Sequence, residues 1–348
     1  MTRRSVPRAR PPGRAAVGRG RASCHHGEIL QGVFLDERGR ACAGLVTLPM
    51  TGPGTRAEFT PDPHGTPGPL TVTPADRTKA LRAATLALAE CHRAGPQAPP
   101  PGGVLRLGGT VPLGLGMGSS SSDVVAAVRA VADAYGRQLA PEAVARLAVA
   151  AEKATDPLML DDRPRLFAQR EGRVLETFGE ALPPAVVVGC ALDEGRPVDT
   201  LSLPSRPSGP DDLAGYERLR RLLRRAVGDA DVELLGHIAT ESARLSQRVL
   251  PRVEFDRLVQ IAERTGATGV QIAHSGSVAG LLFDPTAPGL DARLRDCARA
   301  LHHDGIPVTR TFTTFPTGEE FPHGPTPGRG DGPTGPDTAG RRLRLPAL

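Results

Sequence analysis

Four short stretches of this 348-residue chain hold residue types that can do chemistry. The first, Ser23-Cys24-His25-His26-Gly27-Glu28, brings a thiol, two imidazoles and a carboxylate together near the N-terminus. Such a set suits a metal site, a catalytic dyad or the wall of a substrate pocket. Geometry weighs against the metal. Consecutive residues of an extended chain face opposite ways, so His25 and His26 do not readily share an ion. Cys24 with His26 lacks two further ligands at useful spacing. The second stretch runs from Pro112 through Gly114, Gly116, Met117 and Gly118 into four serines, Ser119 to Ser122. Alternating glycines let a backbone take positive φ and approach a ligand closely. A glycine loop that opens a helix offers free N–H groups and the positive dipole end to a phosphate. Hydroxyls in the first turn add hydrogen bonds or ligate Mg²⁺. The segment is neither a Walker A loop nor a nucleophile elbow, because GxxxxGK[ST] and G-x-S-x-G are both absent from it.

The third stretch gathers Glu152, Lys153, Asp156, Asp161 and Asp162 after a helix. Each has a plain alternative: Glu152 as a solvated helix-end charge, Lys153 as a cation offsetting the dipole, Asp156-Pro157 as a turn. The fourth, His274-Ser275-Gly276, interrupts an apolar run. Its Ser-His pair does not make a hydrolase, since neighbours in an extended segment diverge and no acid or oxyanion hole is evident.

The elements that must position these residues follow from periodicity. "GEILQGVFL" and "RACAGLVTLPM" read as a hairpin across "DERG", with short strands at "RAEFT", "LTVTP" and "GVLRLGGTVP". Leu81, Ala84, Thr85, Leu88 and Cys91 mark one face of a helix that ends at Gly95-Pro96. An Ala/Val-rich helix spans about 119 to 135, and another begins at Pro141, a residue suited to a first turn. A hairpin with Gly172 near its turn and a buried strand at 185 to 192 come next. Helices at about 211–227, with Leu213, Tyr216, Leu219, Leu222 and Leu223 on one face, 231–248 and 253–264 then precede two strands broken at Ser275-Gly276. A helix near 288–303 and the strand "PVTRTF" complete the pattern. Strands and helices without regular βαβ alternation mean an α+β fold.

Composition narrows the function classes. The net charge of +5 sits in an arginine-rich start, with seven arginines and no acid over residues 1–21, so the remainder is close to neutral. With no Trp, two Tyr and nine Phe, the chain lacks aromatic platforms for single-stranded nucleic acid. Five scattered cysteines, none in a CxxC pair, argue against a disulfide framework. No apolar run has transmembrane length. These features predict a cytoplasmic protein with no nucleic-acid or membrane partner. Residues 1–20 and 317–348, rich in Pro and Gly, read as disordered tails.

"PLGLGMGSSS", from Pro112 to Ser121, resembles the P-x-x-x-G-L-G-S-S-A motif of the GHMP kinases, with Met117 in place of Leu and Ser121 in place of Ala. The details are similar to the L-threonine kinase branch over about residues 22 to 312. The matching residues are Ala22-Ser23-Cys24, Gly27-Glu28, Gln31-Gly32, Gly116-Met117, Ser119-Ser120, Asp123 and Ala273-His274-Ser275-Gly276-Ser277. His25-His26 departs from that pattern as an insertion. The resemblance implies a two-lobed GHMP kinase fold, with a ribosomal-protein-like N-terminal half at 21–180 and a ferredoxin-like C-terminal half at 181–316. It implies that ATP is held by Pro112, Gly114, Gly116, Met117, Gly118, Ser119, Ser120 and Ser121, and Mg²⁺ by Ser120 and Glu152. Ser120 and Asp156 are then catalytic, with Asp161 and Asp162 as other candidates for the base. The acceptor lies against His26, Glu28, Gln31, His274, Ser275 and Gly276. The implied activity is phosphorylation of a hydroxyl on a small amino acid or amino alcohol by a monomer or homodimer, L-threonine being the first acceptor and O-phospho-L-threonine its product. Homoserine or a specialised-metabolite alcohol, or a catalytically silent ligand sensor on the same fold, are the alternatives.

Overall fold

A computed structural model of the chain describes residues 16–63, 68–92, 102–109, 117–193 and 209–315. Residues 1–15 and 316–348 therefore lie outside the described residues, as do Gly95, Pro96, Pro112, Gly114 and Gly116.

Two long strands, β1 (Gly18–Leu35) and β2 (Ala41–Pro61), form the predicted hairpin. Its turn is set by Asp36, whose Oδ1 accepts from the backbone N–H groups of Arg38 and Arg40 at 2.9 Å each. Gly39 there takes φ +71°, a conformation that side chains resist. β1 begins at Gly18, so Gly18 to Gly20, expected in the N-terminal tail, are strand. "RAEFT" continues β2 rather than forming a strand of its own. β3 (Leu70–Thr73), β4 (Gly103–Gly109), β5 (Arg165–Ala168) and β6 (Arg173–Thr177) complete the first sheet in the order β3-β4-β2-β5-β6, with β1 beside β2.

Three helices cover this sheet: α1 (Thr78–Cys91), α2 (Ser119–Ala134) and α3 (Pro141–Glu152). α2 is buried nearly all round, as its Val and Ala content predicts. It lies directly on the β1 backbone, for a Cβ at Gly18 or Gly20 would meet the Ala130 or Ala126 carbonyl oxygen at 2.1 or 2.0 Å. The buried face of α1 is Ala80, Ala83, Ala84, Ala87, Leu88 and Cys91. Thr85, expected on that face, is exposed and donates to the Leu81 carbonyl. Alanines took its place because small side chains let α1 pack closely on α2 and α3.

The second sheet has the order β10-β7-β9-β8, made of β7 (Val186–Ala191), β8 (Gly269–Ile272), β9 (Val278–Phe283) and β10 (Val308–Thr313). Around it pack α4 (Pro210–Gly228), α5 (Val232–Ser246), α6 (Phe255–Thr265) and α7 (Leu290–His303). Of the expected α4 face, Tyr216, Leu219 and Leu223 are buried and Leu213 and Leu222 half-buried, in a cluster shared with Ile29, Leu30 and Phe34 of β1 and Leu282 of β9. One strand thus joins the core of the first sheet to that of the second. Each Leu, Ile or Phe so buried contributes roughly 1.5–3 kcal/mol. Among the described residues, no helix is long and apolar enough to cross a membrane.

Candidate active site

The site forms where the middle of β1, the start of α2, the segment after α3 and the β8–β9 turn meet. β1 is irregular here. Its register with β2 shifts between Ser23 and His25, between His25 and Glu28, and again between Glu28 and Leu30. Gly27 takes φ +69° at the second of these shifts. Strict alternation would place Cys24, His26 and Glu28 on one face. The bulge at Gly27 breaks that parity, so His25 and Glu28 share the site instead.

His26, expected against the acceptor, is therefore corrected. It turns away into the second sheet, fully buried, with Nδ1 2.8 Å from Gln271 Nε2 and its ring 5.0 Å from that of Phe312. Burial pushes its pKa down to about 3, so it is a neutral core residue. The two histidines do face opposite ways. Cys24 is buried among Met50, Met117, Ala273 and Val278, and burial pushes its thiol up to about 11. It is an inert packing residue.

α2 opens at Gly118, in the left-handed conformation at φ +67°. A Cβ there would sit 2.5 Å from the His25 ring and 3.3 Å from Asp156 Oδ2, so only glycine fits. Met117 is buried beside it, and its carbonyl accepts the His25 N–H at 3.3 Å. Ser120 and Ser121 hydroxyls both donate to Glu152, to Oε2 and Oε1 respectively, at 2.9 Å each. Ser121 Oγ also accepts the Asp156 N–H at 3.1 Å. Glu152 is not a solvated helix end: it is 4% exposed. Burial pushes its carboxyl up to about 7, against the hydrogen bonds from Thr155, Ser121 and Ser120. A buried carboxylate flanked by two hydroxyls is a hard oxygen set of the kind Mg²⁺ takes. Ser119 is buried in the same turn, and Ser122 ties α2 to the sheet through the Ala22 carbonyl at 3.0 Å.

Asp156, with its side chain about a fifth exposed, lies 3.0 Å by Oδ2 from His25 Nε2. The contact is ionic and lies off the line of a good hydrogen bond. Burial would raise the Asp156 carboxyl, but the imidazolium beside it holds it below the ordinary range. Asp161 is removed from the reckoning, because Arg163 and Arg165 clamp it on both sides. Asp162 is exposed.

Glu28, 3% exposed, accepts the backbone N–H of His274. Gln31 donates to the Ile272 carbonyl at 2.9 Å and meets His274 Nδ1 by Oε1 at 3.1 Å. Gln31 thus holds the β8–β9 turn in place. In that turn Gly276 has φ +69° and donates to the Ala273 carbonyl at 2.7 Å. The Ser275 carbonyl accepts from Arg252 Nη2 at 2.9 Å. Arg252, which also reaches Asp193 at 3.3 Å, gave no sequence signal, lying far away in the chain on an otherwise ordinary loop.

Residues 79–161 match the family model of the GHMP kinases N terminal domain. The fold agrees: the chain is similar to a homoserine kinase structure from Cytophaga hutchinsonii, at 15% identity and TM-score 0.62, over 90% of this chain and 96% of that one. The chain has the GHMP kinase fold. A second likeness is to the L. major mevalonate kinase in complex with R-mevalonate, at 17% identity and TM-score 0.60, over 87% of this chain and 98% of that one. In sequence it is 31% identical over 183 residues to an L-threonine kinase of Citrobacter freundii, covering 52% of this chain and 62% of that protein. It is also 30% identical over 178 residues to an L-threonine kinase of Salmonella typhimurium, covering 50% and 58%. The matches thus span about six tenths of the length of these curated relatives.

Proposed function

We propose that this protein is an ATP- and Mg²⁺-dependent kinase that phosphorylates the hydroxyl of a small amino acid, with L-threonine as the first acceptor. The observation that carries the reading is the chain Ser120–Glu152–Ser121–Asp156 at the start of α2. It joins a buried oxygen set suited to a divalent cation to a carboxylate that is not part of that set. A phosphoryl-transfer site needs both, together with a cradle for the phosphates. Similarity to two L-threonine kinases supports the acceptor class.

On this reading the glycine loop and the N-terminal end of α2 receive the phosphates of ATP. Ser120 and Glu152 hold Mg²⁺, which would neutralise charge on the phosphoryl oxygens. Glu28 takes the acceptor's ammonium group. Asp156 faces the hydroxyl. The new bond forms between that hydroxyl oxygen and the γ-phosphorus as the bond to the β–γ bridging oxygen breaks, and the hydroxyl proton passes to Asp156. Because the transition state is loose, the proton leaves late and a weakly basic carboxylate suffices.

A coupled ADP-release assay over L-threonine, L-serine, homoserine and simple amino alcohols tests the reading, with Glu152→Gln as a control. L-Threonine should give the highest kcat/KM. A higher value for homoserine would transfer the assignment to another acceptor. ATP binding without turnover of any alcohol would favour a catalytically silent ligand sensor.

A further inference from the structure

His25 is the residue that sequence reasoning passed over in favour of His26, and its surroundings are unusual. The ring is 2% exposed. Both nitrogens face oxygen: Nδ1 is 3.2 Å from the Gly27 carbonyl and Nε2 is 3.0 Å from Asp156 Oδ2. Glu28 Oε1 lies a further 3.8 Å from Nδ1. A neutral imidazole has one N–H, so its other nitrogen would turn a lone pair toward one of these oxygens. The arrangement is satisfied when both nitrogens carry protons. Other charged or titratable groups lie around its partners and its own strand. Glu152 lies behind Asp156 on α3, and His274 comes from the β8–β9 turn. On β1 itself, Cys24 and neutral His26 flank it, with Arg310 of β10 on the His26 side. Gly118 closes the remaining side, lacking a side chain where the ring passes.

We propose that His25 is a positioning residue whose buried imidazolium keeps Asp156 ionised and aimed at the acceptor hydroxyl. The inference rests on the kinase reading given above. Its physical ground is the crowding of carboxylates. Ligand-type atoms of His25, Glu28 and Asp156 all lie within 4.8 Å of one another. Two carboxylates that close do not both stay ionised in a buried site, and one takes up a proton. Were that Asp156, it could no longer receive the hydroxyl proton. A fixed cation between them removes the conflict and leaves the set of three with one net negative charge, matched to one ammonium. His25 therefore adds a charge to the site.

Two measurements test this. His25→Gln keeps a hydrogen-bond donor without the charge, and His25→Lys keeps the charge. His25→Gln should lower kcat by about a hundredfold, the scale of a misplaced general base, and leave acceptor KM within about threefold. It should also give kcat an acidic limb near neutrality that the wild type lacks, which His25→Lys moves back down. A merely structural role would lower kcat without moving the pH profile. Independently of turnover, ring ¹⁵N NMR of the wild type should show His25 doubly protonated through pH 8, and Asp156→Asn should release that proton below pH 7.5. An unchanged profile in His25→Gln, or a wild-type His25 that is neutral at pH 7, would overturn the proposal. If no alcohol is phosphorylated at all, the kinase reading fails, while the spectrum still decides the charge of His25.

Discussion

Gly118→Ala is the sharpest single perturbation of the site. The added methyl would sit 2.5 Å from two atoms of the His25 ring, about 0.9 Å inside ordinary 3.4 Å contact. The ring cannot swing aside, because Asp156, the Gly27 carbonyl and the surrounding core hold it. Two terms then add. A non-glycine residue in the left-handed region costs roughly 1–2 kcal/mol. Forcing an extra methyl into a packed interior costs a further 1–3 kcal/mol or so. Urea unfolding should therefore show a loss of about 2–5 kcal/mol, within the roughly 5–15 kcal/mol stability of a typical domain, so the variant folds. Displacing His25 and Asp156 by close to 1 Å should lower kcat about a hundredfold. The double variant Gly118→Ala/His25→Ala isolates the cause, since removing the ring removes the clash. Its stability loss should fall short of the sum of the two single losses by about 1 kcal/mol or more. Strict additivity, or a Gly118→Ala protein with unchanged stability and kcat, would refute the packing argument.

Other outcomes follow from neighbouring residues. On the proposed reading, Mg²⁺ with a nucleotide should raise the wild-type melting temperature, and Glu152→Gln should abolish that rise. The pH dependence carries a sign. With its carboxyl raised from 4.5 to about 7, Glu152 favours the folded state below pH 4.5 and loses that contribution as pH climbs through 7. Stability without Mg²⁺ should thus decline between about pH 4.5 and 7 in the wild type and less so in Glu152→Gln, read by denaturant midpoints. Glu28→Gln should raise the amino-acid KM at least tenfold in the ADP-release assay, with ATP KM within about twofold; an unchanged amino-acid KM would remove Glu28 from the pocket. His26→Leu should lose about 1–3 kcal/mol in urea unfolding through the unpaired Gln271 amide while leaving acceptor KM unaltered.

Much of this fold was legible because its elements are locally consistent: the Val/Ala run of α2, the Leu and Tyr face of α4 and the all-apolar β7 each allow one reading. At the site, Ser120, Glu152 and Asp156 are linked through hydrogen bonds that Ser121 completes. His25 did not, because a strand's period of two fails at a bulge, and a bulge is set by partner strands that local pattern does not reveal. Gly27 was the available clue, a glycine inside an apparent strand. Arg252 had none, since its role arises from a tertiary contact with the Ser275 carbonyl. Thr85 failed for a subtler reason: a helix face built of alanines is nearly featureless to hydrophobic periodicity.

The seating of α2 on the bare backbone at Gly18 and Gly20 has a consequence for how such a site can diversify. Backbone-to-backbone contact fixes the height of Ser119 and Ser120 against β1 upstream of the bulges. Residues gained or lost between Ser23 and Leu30 are taken up where the register already shifts. On the kinase reading proposed above, the nucleotide end is thus gauged by one stretch of the strand and the acceptor end by the next. On that reading, new bulge residues can change the acceptor while the α2 seat stays as it is.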